Sequence, residues 1–283
     1  MTELAAVLPN LIVIGAGRAG TTSIHRYLGE HPEIFMAQDK ELMFFVPELN
    51  WRRGLAWYES HFPESRRVRG ESSPQYTVRA RWPGAPERMA QVVPDAKLVY
   101  IVRDPIERML STYAVHLAYG LETGSLADAM VGSNGALYVE ASCYWTQLRY
   151  FLDNFPAEQV LVVDFDEFRR DRADSLSKVF RFLDVDPDFR SPTFDAVYNA
   201  APAFRPRRAL SHIGLLEKPL GRGLYLRTYP LTRLPRNIRR LLTKEQEPPA
   251  IAPELRRELE ETFSPEVAQL REFTGLPLAT WSV

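Results

Sequence analysis

Cysteine is nearly missing from this chain: Cys143 is the only one among 283 residues. A single thiol excludes an internal disulfide framework, a multi-cysteine zinc site and redox chemistry by thiol pairs, and it fits a reducing compartment. Long apolar runs are missing too. No segment approaches the ~18 uninterrupted apolar residues of a membrane span, and Met1–Asn10 lacks a basic stretch ahead of an apolar one, so a folded cytoplasmic protein is expected. The histidines (His25, His31, His61, His116 and His212) form no His-Glu-x-x-His pattern and no paired ligand spacing, so no metal is expected. No serine occupies a Gly-x-Ser-x-Gly turn, which argues against Ser-His-Asp hydrolysis, and no fixed-period repeat supports a solenoid or propeller.

What is present suffices for a sizeable core, with 45% hydrophobic residues. The net charge of −1 makes the whole molecule a poor match for a nucleic acid polymer, yet the positive charge is unevenly placed. Between Arg205 and Lys244 stand eleven Lys or Arg against one acid, Glu217. Such a run is either a solvated face or a surface for an anion, and it allows peripheral contact with an anionic membrane surface.

Three apolar strands are legible. Leu11–Ile14 runs into glycines, and Ile24, Tyr27 and Leu28 then repeat at helical spacing. Lys97–Val102 ends on Arg103-Asp104-Pro105 and feeds a helical pattern; Val160–Val163 follows a helix of about 141–154 and precedes one near 175–183. This alternation predicts an α/β fold: a central parallel sheet with helices on both faces, a P-loop-like nucleotide-binding core, and ligand sites at the carboxyl ends of the strands. A single domain over 1–283 is expected, with a donor-binding core at about 9–185, a basic loop-rich cover at about 186–250, and C-terminal helices at about 251–283 that break near Pro265.

The loop Gly15-Ala16-Gly17-Arg18-Ala19-Gly20-Thr21-Thr22-Ser23 carries the chemistry. Glycines let backbone N–H groups approach an anion, and the helix that follows adds the positive end of its dipole. The spacing is that of a nucleotide P-loop, but Thr21 occupies the lysine position and the basic group is Arg18. A triphosphate site uses that lysine and a bound Mg²⁺; a phosphosulfate donor needs N–H groups, hydroxyls and one cation at the departing oxygen. Taken alone, the loop also suits a simple glycine-rich turn or a small-molecule kinase in which Val160–Asp164 ends on a Mg²⁺-binding aspartate.

Several separated motifs resemble the 3′-phosphoadenosine-5′-phosphosulfate (PAPS)-dependent sulfotransferases, in particular the heparan sulfate branch and its bacterial members. Gly15-x-x-Arg18-Ala19-Gly20-Thr21-Thr22-Ser23 with His31-Pro32 looks like that family's 5′-phosphosulfate loop, in which lysine usually stands at the Arg18 position. Arg103-Asp-Pro-x-x-Arg108-x-x-Ser111 is similar to its 3′-phosphate element, which implies that Arg103 and Ser111 hold that phosphate. Lys40-Glu41-Leu-Met-Phe44-Phe45 resembles the segment whose Glu is the base in several glycan O-sulfotransferases, so Glu41 is implied as the base, with Lys40 beside it. Gly70-Glu71-Ser72-Ser73-Pro74-Gln75-Tyr76 resembles a further motif, with Ser72 where some glycan enzymes have lysine.

The second donor-binding loop falls in 190–245, where Arg205, Arg207 and Arg208 are candidates. The resemblance implies PAPS as donor, no obligatory metal, and a small-molecule, glycan or lipid-linked acceptor. His116 is an alternative base, and a catalytically inactive nucleotide- or glycan-binding relative is the rival reading of Arg18 and Ser72. The tryptophans and aromatics Trp51, Trp57, Tyr58 and Phe62 read as core or lid, and His25 as a surface or packing residue.

Overall fold

A computed structural model describes residues 8–62, 66–118, 121–196, 204–206, 243–245 and 251–283. Strands β1 (Leu11–Gly15), β2 (Ile34–Met36), β3 (Val68–Ser72), β4 (Lys97–Val102) and β5 (Val160–Asp164) form one sheet in the order β2-β3-β1-β4-β5. Every pairing in it is parallel. The connecting helices are α1 (Thr21–Glu30), α2 (Leu55–Glu59), α3 (Ala85–Val92), α4 (Pro105–Ala118), α5 (Leu126–Val131), α6 (Gly135–Tyr138) and α7 (Tyr144–Leu152). After β5 come α8 (Phe165–Arg170), α9 (Arg172–Phe182) and α10 (Pro253–Thr274). A short antiparallel pair, β6 (Phe204–Pro206) with β7 (Thr243–Glu245), lies beside α4.

Period-two alternation divides each strand between two cores. Leu11, Val13, Val99, Ile101 and Val163 pack against Ile24, Tyr27 and Leu28 of α1 and Leu176, Val179 and Phe180 of α9. Ile12, Ile14, Leu98, Tyr100 and Val102 face the opposite side, with Met89 of α3, Leu148 and Phe151 of α7 and Leu270 of α10. Each large aliphatic side chain buried this way contributes about 1.5–3 kcal/mol relative to an exposed one. The sheet is covered on both faces, as the alternation of elements predicts.

Two strands carry no obvious apolar signal. β2 has only three residues, and β3 reads Val-Arg-Gly-Glu-Ser, a pattern too polar to announce a strand beside the central β1. Glu71 is tolerated there because three hydroxyl groups meet its carboxylate, as described below. Helix limits differ as well. The helix expected over 141–154 is preceded by a 3₁₀ turn at Glu140–Ser142, so α7 starts at Tyr144. The Asp171 side chain accepts the Asp174 N–H, which starts α9 ahead of the expected 175.

The C-terminal segment is a correction. Pro265 does not split it: α10 runs unbroken from Pro253 to Thr274. Its buried seam, Leu259, Phe263, Val267 and Leu270, continues through the proline, so leaving the helix would expose apolar surface on both sides of it. Just before it, the Thr262 and Ser264 hydroxyls donate to the Glu258 and Glu260 carbonyls at 2.7 and 2.6 Å, adding bonds in the turn the proline weakens.

Past α10 the chain crosses the carboxyl ends of β4 and β5. Trp281 Nε1 donates to Asp164 Oδ1 at 3.2 Å, and the Ser282 N–H donates to Asp104 Oδ2.

Candidate functional site

The phosphate-loop geometry follows from two glycines. At Gly15 an added Cβ would lie 2.4 Å from Thr77 Oγ1, so no larger residue lets β1 turn there. Gly20 sits at φ 91°, with the Phe165 ring 2.8 Å from where a Cβ would be. Gly20 is also the N-cap of α1 and has no side chain to cap the first-turn amides; no acid stands in that turn. The first turn of α1 therefore brings no acid of its own to the positive end of the helix dipole. Ala19 and Thr21 are buried, which fixes the loop, while Arg18, Thr22 and Ser23 are half-buried.

Arg18 adopts a left-handed backbone, φ 72°, at a cost of about 1–2 kcal/mol for a residue with a Cβ. From there Nε donates to Ser111 Oγ at 3.2 Å. The loop that follows β1 and the helix that follows β4 thus meet at these two side chains. Ser111 is buried on α4 and Arg103 stands at the mouth of β4, so both implied 3′-phosphate residues occupy the carboxyl edge of the sheet.

Arg103 is paired with Glu107 and not with its sequence neighbour Asp104. Its Nη2 donates to Glu107 Oε2 at 3.1 Å, and its guanidinium lies 5.3 Å from the Phe165 ring centroid. Asp104 is instead committed to α4, accepting the Glu107 N–H at 2.9 Å through Oδ1. The Arg103–Glu107 pair is partly exposed and worth little, so exchanging Glu107 for a phosphate costs little.

Lys40 and Glu41 form a part-buried ion pair of 2.8 Å. Glu41 is at φ 66° and Met43 at φ 48°, so this turn is strained twice. It is held by β3: the Ala37 N–H donates to the Gly70 carbonyl at 2.8 Å, the Glu41 N–H to the Ser72 carbonyl at 2.9 Å and the Met43 N–H to Ser73 Oγ at 3.1 Å.

Two residues assigned no role by sequence belong to this region. Glu71 is fully buried; Tyr58 and Tyr76 donate to its Oε1 at 2.9 and 3.0 Å, and Ser73 to its Oε2 at 2.6 Å. Burial raises its proton affinity, against which the three hydroxyl bonds act. Tyr58 and Phe62 are core, and Trp51 and Trp57 pack half-buried beside them.

The second is His25, which is 9% exposed and shares a 2.9 Å hydrogen bond between Nδ1 and Ser72 Oγ. Burial, followed by the Lys40 charge, lowers its pKa to about 4, so the imidazole is neutral near pH 7. A signal was available: His25 lies four residues after Thr21, with Ile24 and Leu28 on the buried stripe of α1.

His116, the alternative base, bonds through Nδ1 to Tyr138 Oη at 2.6 Å, and Tyr138 donates to Glu122 at 3.1 Å. Burial first, then the charges of Arg81, Arg18 and Arg108, lowers its pKa to about 4. Asp164, the aspartate that a kinase reading would place on Mg²⁺, caps α8 and accepts the Trp281 indole N–H. Among the described residues no group of three or more His, Cys, Asp or Glu is placed to hold a metal, and no helix is long and apolar enough to cross a membrane. Arg207 and Arg208 lie outside the described residues, and Arg205 falls in β6.

A model of the sulfotransferase domain matches residues 8–197. The bifunctional heparan sulfate N-deacetylase/N-sulfotransferase 1 of Caenorhabditis elegans is 30% identical over 253 residues, covering 84% of this chain and 28% of that protein. The human heparan sulfate glucosamine 3-O-sulfotransferase 5 is 29% identical over 214 residues, covering 71% of this chain and 60% of that one. The chain therefore spans less than two thirds of these relatives. A sulfotransferase from Alicyclobacillus acidocaldarius, solved by crystallography, superposes with a TM-score of 0.70 at 25% identity, covering 98% of this chain and 100% of that one.

Proposed function

The chain belongs to the sulfotransferase family, and from that membership we propose that it moves the sulfuryl group of PAPS to a hydroxyl of a carbohydrate or small-metabolite acceptor. The observation that carries the reading is the uncapped, acid-free start of α1 with Arg18 reaching across to Ser111, which gathers both phosphate-binding elements at one sheet edge. That edge offers backbone N–H groups, hydroxyls and permanent cations, the inventory that a bisphosphate nucleotide requires.

In this reading Glu41 takes the proton of the acceptor hydroxyl as its oxygen attacks sulfur. The bond from sulfur to the 5′-phosphate oxygen breaks, and adenosine 3′,5′-bisphosphate leaves with the bonding pair. Arg18 and the loop amides stabilise the charge on that oxygen, while Arg103 and Ser111 hold the 3′ phosphate. Arg18 is a permanent cation, so proton removal falls to Glu41. Heparan sulfate in the names of the relatives favours a glycan among the acceptors, and N-sulfotransferases among them make the amine the rival to the hydroxyl. The Arg205–Lys244 segment supplies the remaining donor contacts, with Arg207 the leading candidate.

Thermal melting tests the donor assignment. Adenosine 3′,5′-bisphosphate raises the melting temperature and Mg-ATP does not; the opposite preference defeats it. Labelled PAPS offered with heparosan oligosaccharides, simple alcohols and amines then identifies the acceptor class.

A further inference from the structure

His25 stands where α1 meets β3. It projects from α1, one turn beyond the phosphate loop, and its Nδ1 meets Ser72 Oγ at 2.9 Å. Both His25 and Ser72 are buried, so neither polar side chain has bulk water as an alternative partner. In the Nε2–H tautomer Nδ1 is an acceptor, and the Ser72 hydroxyl donates to it.

Ser72 is then fixed at both ends. Its side chain is tied to α1, and its carbonyl accepts the Glu41 N–H at 2.9 Å. The residue so anchored, Glu41, has a left-handed backbone at φ 66°, which extended or helical alternatives would relieve. Ala37, which opens the same turn, donates its N–H to the Gly70 carbonyl at 2.8 Å. The bond between His25 and Ser72 therefore ties the Glu41 end of the strained turn, through β3, to the helix that opens the phosphate loop.

We propose that His25 is a positioning residue that, through Ser72, sets the Glu41 carboxylate against the phosphate loop. The inference rests on the reading of Glu41 as base. His25 touches neither donor nor acceptor; it transmits the placement of α1 to the acceptor side of the site. Loss of the link moves Glu41 and leaves the amides at the start of α1 where they are.

The test compares His25→Phe, His25→Asn, Ser72→Ala and the double variant Ser72→Ala/His25→Phe. Turnover is read by transfer from labelled PAPS to the acceptor found in the screen above and by release of inorganic sulfate to water. Donor binding is read by the melting shift with adenosine 3′,5′-bisphosphate. His25→Phe and Ser72→Ala are expected each to lower kcat roughly tenfold or more, with the nucleotide shift and the KM for PAPS unchanged. The double variant is no worse than either single one, because both cut the same link.

His25→Asn, whose Oδ1 can accept the Ser72 hydroxyl, restores most of the turnover. Wild-type kcat in His25→Phe, independent multiplying losses in the double variant, or equal loss of nucleotide binding and kcat would each overturn the assignment. Glu41→Gln separates the two levels: if it keeps full activity the base assignment fails, and with it the role of His25. If Glu41→Gln is inactive while His25→Phe is not, only the positioning role fails. Ser72→Ala removes a single oxygen, which keeps the test decisive should His25→Phe not fold.

Discussion

Arg18 Nε and Ser111 Oγ, 93 positions apart in sequence, lie 3.2 Å from each other. One belongs to the loop after β1 and the other to the helix after β4, adjacent strands of the sheet. A ligand with phosphates at two positions of one ribose needs such a pair of neighbouring elements, and the contact couples them before any ligand arrives.

Arg18→Ala is expected to lower kcat by about 10²–10³-fold, the scale on which one donor to a developing oxyanion acts, with a much smaller loss of donor binding. Single-turnover transfer from PAPS, with nucleotide affinity by calorimetry, measures both. Comparable losses in the two would reassign Arg18 to ground-state binding.

Arg103→Ala shows the converse. With Arg103 holding the 3′ phosphate as proposed, its removal is expected to weaken adenosine 3′,5′-bisphosphate by roughly 1.5–3 kcal/mol, with kcat at saturating donor nearly preserved. Adenosine 5′-phosphate, which lacks the 3′ group, binds wild type and variant alike. Equal weakening of both nucleotides would place Arg103 elsewhere.

Stability depends on pH through His25. Its ordinary pKa of 6.5 falls to about 4 in the fold, so between those values the unfolded chain takes up a proton that the folded one refuses. The contribution is complete above pH 6.5 and is lost as pH falls toward 4, on the order of 3 kcal/mol in all. His116 acts in the same direction. Melting curves from pH 7.5 to 4.5 should fall less steeply for His25→Asn than for wild type; parallel curves would refute the shift.

Cys143 is expected to be inert. Burial, then the charges of Glu266 and Glu140, pushes its thiol up to about 12 from the usual 9. The thiolate fraction near pH 8 drops by about three orders of magnitude, and alkylation by iodoacetamide slows accordingly until denaturant is added. Rapid labelling of the native protein would contradict this environment.

Much of this was legible because apolar β-branched runs next to glycine or proline admit few readings. Leu11–Ile14 before Gly15, and Lys97–Val102 before Pro105, fixed two strand-to-helix turns and hence the phosphate side of the site. β3 escaped because its buried polar residue is satisfied by partners distant in sequence: the Tyr58 and Tyr76 hydroxyls that make Glu71 acceptable leave no mark near position 71. His25 escaped for the same reason, since a histidine on a buried stripe looks like packing until Ser72 is placed beside it. Pro265 misled through a local rule that the continuous seam of α10 outweighs.

The tail that crosses the sheet edge has a bearing on biosynthesis. Once the nascent chain has emerged past α9, all five strands of the sheet are available, but the indole of Trp281 and the amide of Ser282 that hold Asp164 and Asp104 have not yet been made. Translation proceeds from the N-terminus at about 5–20 residues per second, so the five-stranded sheet can assemble before the ends of β4 and β5 are fastened. A ribosome stalled before residue 281 would present a sheet whose β4 and β5 ends lack these two hydrogen bonds.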